Sequence, residues 1–137
     1  MRSWVIDTEN SLEDYRCYHP LNPVTVLHYE MPEDELDQVS IMVAVSLDQT
    51  EMLSRAEDYL WQLQNSGEEA ARFYGSLLKA PLPDDWFDTL EVYSAEISLA
   101  SETDYSAVIT CGDSIFPDHI LEMYWEQTRV TDVLLVG

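Results

Sequence analysis

The period of the apolar residues changes along the chain. Between Asp48 and Lys79 they recur every three or four positions, as Leu53, Ala56, Leu60 and Leu63, then as Ala70, Phe73, Tyr74, Leu77 and Leu78. That spacing places each set on one face of a helix. Asp48, three residues before Glu51, has the form of an N-cap. Ser66-Gly67-Glu68-Glu69 reads as a capping box in which the Ser66 hydroxyl takes the Glu69 N–H and the Glu69 carboxylate reaches back. Lys79 falls in the last turn and Pro81 stops the second helix. Residues 49 to 80 are therefore expected to form two antiparallel helices.

From Glu91 the period is two. Tyr93, Ala95, Ile97 and Leu99 alternate with Ser94, Glu96 and Ser98, and after the polar turn Ser101-Glu102-Thr103-Asp104 the alternation resumes through Tyr105, Ala107, Ile109 and Cys111. His119 to Glu126 and Arg129 to Val136 read as a second strand pair across Gln127-Thr128, although the first of these also suits a helix. Nearer the start, Trp4-Val5-Ile6 and Val24 to Tyr29 are short β-rich runs, with His19-Pro20-Leu21-Asn22-Pro23 as a turn before the second. The run Ile41 to Val45 is compatible with a buried strand or part of a helix. The expected fold is α+β: a helical hairpin packed on a mainly antiparallel sheet that ends in a C-terminal β-meander.

At 137 residues, 46% of them apolar, the chain is expected to form one domain, residues 1 to 137, with material for its own core. No run approaches a membrane span and the first residues do not resemble a signal peptide, so the expected location is the cytoplasm. Cys17 and Cys111 lie in different halves without metal-site spacing and are read as two reduced thiols. Cys17-Tyr18-His19 offers two metal ligands, but four are usually needed and no second cluster stands out, so neither metal nor cofactor is expected.

The four glycines are never grouped, which excludes a phosphate loop, and no G-x-S-x-G elbow marks a hydrolase serine. His119, near Asp113 and Asp118, has the surroundings of a general base but no evident nucleophile, and a histidine that starts a strand and bonds a local carboxylate is the preferred reading. No enzymatic activity is expected.

Charge adds what periodicity does not. Twenty-seven Asp and Glu against six Lys and Arg give a net charge of −21. Such a field repels nucleic acid and anionic membrane and attracts cationic proteins. The two acidic clusters are Glu33, Asp34, Glu35 and Asp37, and Asp84, Asp85 and Asp88 around Trp86. In the second, Trp86 reads either as an anchor inside an acidic rim or as a core ring sealing helices to sheet. These residues are the candidate partner-binding site.

Gly112, Asp113, Phe116, His119 and Ile120 are followed by the terminal Leu134-Leu135-Val136-Gly137. On these residues the chain from about Gly67 onward resembles a family of small bacterial proteins of unknown function. Such small acidic α+β families are similar to the immunity proteins of bacterial polymorphic toxin systems. The resemblance implies a cytoplasmic inhibitor that blocks a basic toxin, a nuclease for example. The alternatives are a DNA mimic that occupies a nucleic-acid-binding protein, and a non-catalytic halophilic or housekeeping domain whose acidity serves solubility.

Overall fold

A computed structural model describes residues 4–21 and 23–136; Asn22 and Gly137, both used above, lie outside the described residues. Strands β1 (Trp4–Leu12), β2 (Tyr15–Pro20), β5 (Val39–Ala44), β6 (Glu91–Leu99), β7 (Tyr105–Gly112), β8 (Ile120–Glu126) and β9 (Arg129–Val136) form one seven-stranded sheet in that order. Two-residue strands β3 (Thr25–Val26) and β4 (Tyr29–Glu30) make a separate small hairpin. Helices α1 (Gln49–Gln64) and α2 (Gly67–Leu78) connect β5 to β6. All pairings in the large sheet are antiparallel except that one: β5 and β6 lie parallel, with Val39 opposite Ala95 and Val43 opposite Leu99. The expected α+β fold is thus observed, with the helical hairpin serving as the crossover that a parallel pair needs.

Alternation sorts the sheet into two faces. Val39, Ile41 and Val43 share the inner face with Ala95, Ile97, Leu99, Ala107, Ile109, Leu121, Met123 and Trp125, all buried in a single core cluster. Above them pack Met52, Ala56, Tyr59, Leu60 and Leu63 of α1, and Ala70 and Tyr74 of α2. Met52 and Tyr59 complete the stripe read from the sequence, whereas Leu77 stays 52% exposed. The Tyr59 hydroxyl donates to the Gln127 carbonyl at 2.7 Å, tying α1 to the β8–β9 turn.

Several local expectations are corrected. Asp48 caps α1 through the Glu51 N–H, as expected, but the Ser66 hydroxyl turns back to donate to the Leu63 carbonyl, and Glu69 pairs with Arg72 instead of closing a capping box. With only Asn65 and Ser66 between the helices, that hydroxyl serves the end of α1 rather than the start of α2. Val24 to Tyr29 is not one strand: Leu27 adopts a positive φ of 57° and the chain reverses there. His19 and Pro20 belong to β2 rather than to a turn, because Val5 and Trp4 of β1 pair with them. In β6 a bulge between Val92 and Ser94 sends Val92 inward and leaves Tyr93 41% exposed. The Tyr93 hydroxyl then lies over Gly112, where an added Cβ would approach it to 2.5 Å.

Trp86 is 1% exposed, stacks on Tyr74 at 5.4 Å between ring centroids, and donates its indole N–H to Asp113 at 2.8 Å. It seals the helices to the sheet, and the anchor reading falls. Replacing a buried ring of this size with alanine is expected to destabilise the protein by about 3–5 kcal/mol. Asp113→Ala, which leaves the indole N–H unpaired, should cost about 1–3 kcal/mol. Urea unfolding monitored by circular dichroism measures both; a loss under about 1 kcal/mol for Trp86→Ala would contradict the packing described.

Candidate functional site

The parallel pair determines where the acidic segments go. A 3-10 helix over Glu33–Gln38 leads directly into β5, and the segment from Pro83 through a second 3-10 turn (Phe87–Thr89) leads directly into β6. Because β5 and β6 run side by side in the same direction, both segments arrive at the same end of the sheet. The sequence clusters Glu33, Asp34, Glu35 and Asp37, and Asp84, Asp85 and Asp88, 47 or more positions apart in the chain, thus share one pole. All seven carboxylate side chains belong to exposed residues, while Leu36 and Phe87 anchor the two segments in the core. No lysine or arginine occurs from Cys17 to Ser54 or from Ala80 to Thr128, so neither acidic segment carries an internal cation.

On the helical side of this pole, Asp84 and Asp88 rim a cleft of about 400 Å³ whose floor is Phe87 and Trp86. The His28 ring meets Phe87 edge-on at 4.9 Å and its Nε2 lies 3.4 Å from Asp88. Gly67 permits this floor, since a Cβ there would come within 2.8 Å of the Phe87 ring.

On the opposite side the outer face of the sheet forms a groove of about 420 Å³ lined by Asp37, Ser40, Met42, Ser94, Glu96 and Ser98, with Cys17 and His19 of β2 beside them. Its row of small hydroxyls is the polar half of the same alternation that fills the core. One group in it was not legible in the sequence. Pairing of β1 with β2 sets Asp7 opposite Cys17, and the Asp7 carboxylate lies 2.6 Å from His19 Nε2. His19 Nδ1 lies 2.8 Å from the Val39 carbonyl. The Asn10 side chain donates to Asp7 at 2.7 Å.

The arrangement is not a cysteine nucleophile with its base. Both ring nitrogens of His19 are taken by oxygen acceptors, leaving none to receive a thiol proton. Burial, and after it the charges of Asp7 and Glu96, also raise the Cys17 thiol pKa above its ordinary value. Burial pushes the Cys111 thiol up to about 12. The two cysteines are free, Cys17 toward the groove and Cys111 in the core.

His119 does not share a site with Asp113. Asp113 is buried, accepting from the Trp86 indole through one oxygen and from the Phe116 N–H through the other, whereas His119 is exposed and stands edge-on to Phe116. Among the described residues no helix is long and apolar enough to cross a membrane. No protein family and no curated protein matches the sequence, and no solved structure matches the fold.

Hydrogen bonds from Asn10 and then His19 hold the Asp7 carboxyl below the usual aspartate range. In a carbon-13 NMR titration of the metal-free protein, its midpoint should therefore lie below that of an ordinary aspartate. Asn10→Ala and His19→Gln should each raise it. A depressed pKa of this kind contributes stability above the unfolded-state pKa and loses it as the pH falls through the folded one.

Proposed function

We propose that this is an acidic binding protein whose carboxylate pole captures a cationic protein surface. The observation that carries the reading is the convergence of Glu33, Asp34, Glu35 and Asp37 with Asp84, Asp85 and Asp88 at the shared end of β5 and β6. Carboxylates held at one end by a buried frame present a fixed pattern of negative charge, which speeds encounter with a basic partner and disfavours anionic ones. The net charge of −21 acts in the same direction at longer range.

The narrower reading is an immunity-type inhibitor acting in the bacterial cytoplasm on a cationic toxin. A toxin that cleaves nucleic acid must present cations to phosphate, and a carboxylate pole competes for those same cations. This reading is supported by the charge pattern and by the resemblance carried by Gly112, Asp113, Phe116, His119 and Ile120. Binding rests on the exposed acids, since Trp86 is enclosed in the core.

The test is capture of partners from the native host on the immobilised protein, followed by binding kinetics on the purified pair across a salt series. With a Debye length of about 8 Å at physiological ionic strength, the on-rate should fall steeply as salt rises while the off-rate changes little. Replacing Asp84, Asp85 and Asp88 together by Asn should lower the on-rate by roughly tenfold, within the range that steering supplies. An on-rate indifferent to salt and to these substitutions would remove the electrostatic basis of the proposal.

A further inference from the structure

At the groove on the outer face, where Cys17 and His19 line it, two adjacent strands bring together three different metal-ligating groups. The Asp7 carboxylate, the Cys17 thiol and a His19 ring nitrogen all lie within 4.8 Å of one another. We propose that these residues bind one thiophilic divalent cation, zinc or a metal of similar preference, with a fourth coordination position open to the groove.

The distances suit such an ion. Three atoms no more than 4.8 Å apart all lie within about 2.8 Å of a common centre, against coordination lengths of about 2.0–2.3 Å for zinc with oxygen, nitrogen and sulfur. Closing the difference takes small side-chain rotations. The one contact that must lengthen is the 2.6 Å approach of Asp7 to His19 Nε2, because two ligands of a tetrahedral ion stand roughly 3.3 Å apart. Asp7 can give way: it lies on the edge strand β1, at the point where the ladder to β2 loses its register.

The histidine is already held as a metal ligand would be. The Val39 carbonyl can only accept, so its 2.8 Å contact assigns a proton to Nδ1 and aims Nε2 at Asp7 and the centre of the cluster. A backbone carbonyl on the distal ring nitrogen is the usual outer support of a metal-bound imidazole. The cation takes the position between Nε2 and the Asp7 carboxylate.

Charge favours binding. The carboxylates of Asp7 and of Glu96, which lines the groove beside Cys17, attract a dication. The donor set selects among cations, since thiolate and imidazole prefer zinc, copper, cobalt or nickel to calcium or magnesium. Ser40, Ser94, Glu96 and Ser98 line the groove that the open position faces.

The experiment is calorimetric titration of the full chain with zinc in excess magnesium, which occupies the surface carboxylates, in buffers of different ionisation enthalpy. One equivalent should bind, with release of the Cys17 thiol proton. Cobalt in place of zinc should give a thiolate-to-metal charge-transfer absorption in the near ultraviolet. Cys17→Ala should abolish that band while Cys111→Ala retains it. His19→Gln and Asp7→Asn should weaken zinc binding by more than the roughly 10- to 100-fold that loss of a supporting hydrogen bond costs. Circular dichroism establishes that each variant is folded. Zinc binding that magnesium competes away, a missing cobalt–thiolate band, or affinity unchanged by Asp7→Asn and His19→Gln would each overturn the proposal.

Discussion

The parallel pairing of β5 with β6 is the constraint on which the arrangement depends. Antiparallel neighbours follow from short turns, but a parallel neighbour requires the chain to travel back along the sheet, and here α1 and α2 make that journey. Burial of Met52, Ala56, Tyr59, Leu60, Leu63, Ala70 and Tyr74 against the inner face holds them there. Each such side chain contributes about 1.5–3 kcal/mol when it is large and fully buried. The return path brings the segment that leads into β5 and the segment that leads into β6 to the same end of the sheet, and in this sequence both are acidic.

The helices and the C-terminal meander were legible because their apolar residues repeat with a clean period. Leu53 through Leu63 and Ala95 through Cys111 say what they are without reference to the rest of the chain. Pairing across long separations was not legible. Nothing in Trp4-Val5-Ile6 announces that β1 continues past Asp7, and nothing local to β5 says that its neighbour lies across a helical hairpin. The errors have the same origin. Ser66 has the right residues after it for a capping box, but a neighbouring helix end competes for its hydroxyl. Trp86 sits among aspartates in the sequence, yet packing against Tyr74 and a hydrogen bond to Asp113 decide its position.

The candidate site was half legible for the same reason. Composition identified the acids of both clusters, and the exposure of Asp84, Asp85 and Asp88 follows from their chemistry. That the clusters meet depends on strand direction, which composition does not encode. Cys17 and His19 were visible as two candidate ligands close in the chain, but the turn read at His19 hid that they share one face of a strand, and Asp7 reaches them only through the register of β1.

The two ends of the sheet carry a further consequence. Among the described residues, strands β1 and β9 each have one side without a neighbour, and Leu134, Leu135 and Val136 along β9 are more than 40% exposed. Such margins are templates for another chain. Irregularities blunt them, since β1 loses register after Asp7 and β9 carries an extra residue, Thr131, opposite the Tyr124–Trp125 step. The larger safeguard is mutual repulsion between molecules at a net charge of −21. That safeguard belongs to the solution rather than to the fold. Acidification toward the isoelectric point near 4.1 neutralises it while the strand margins remain, so colloidal stability ends where the charge does.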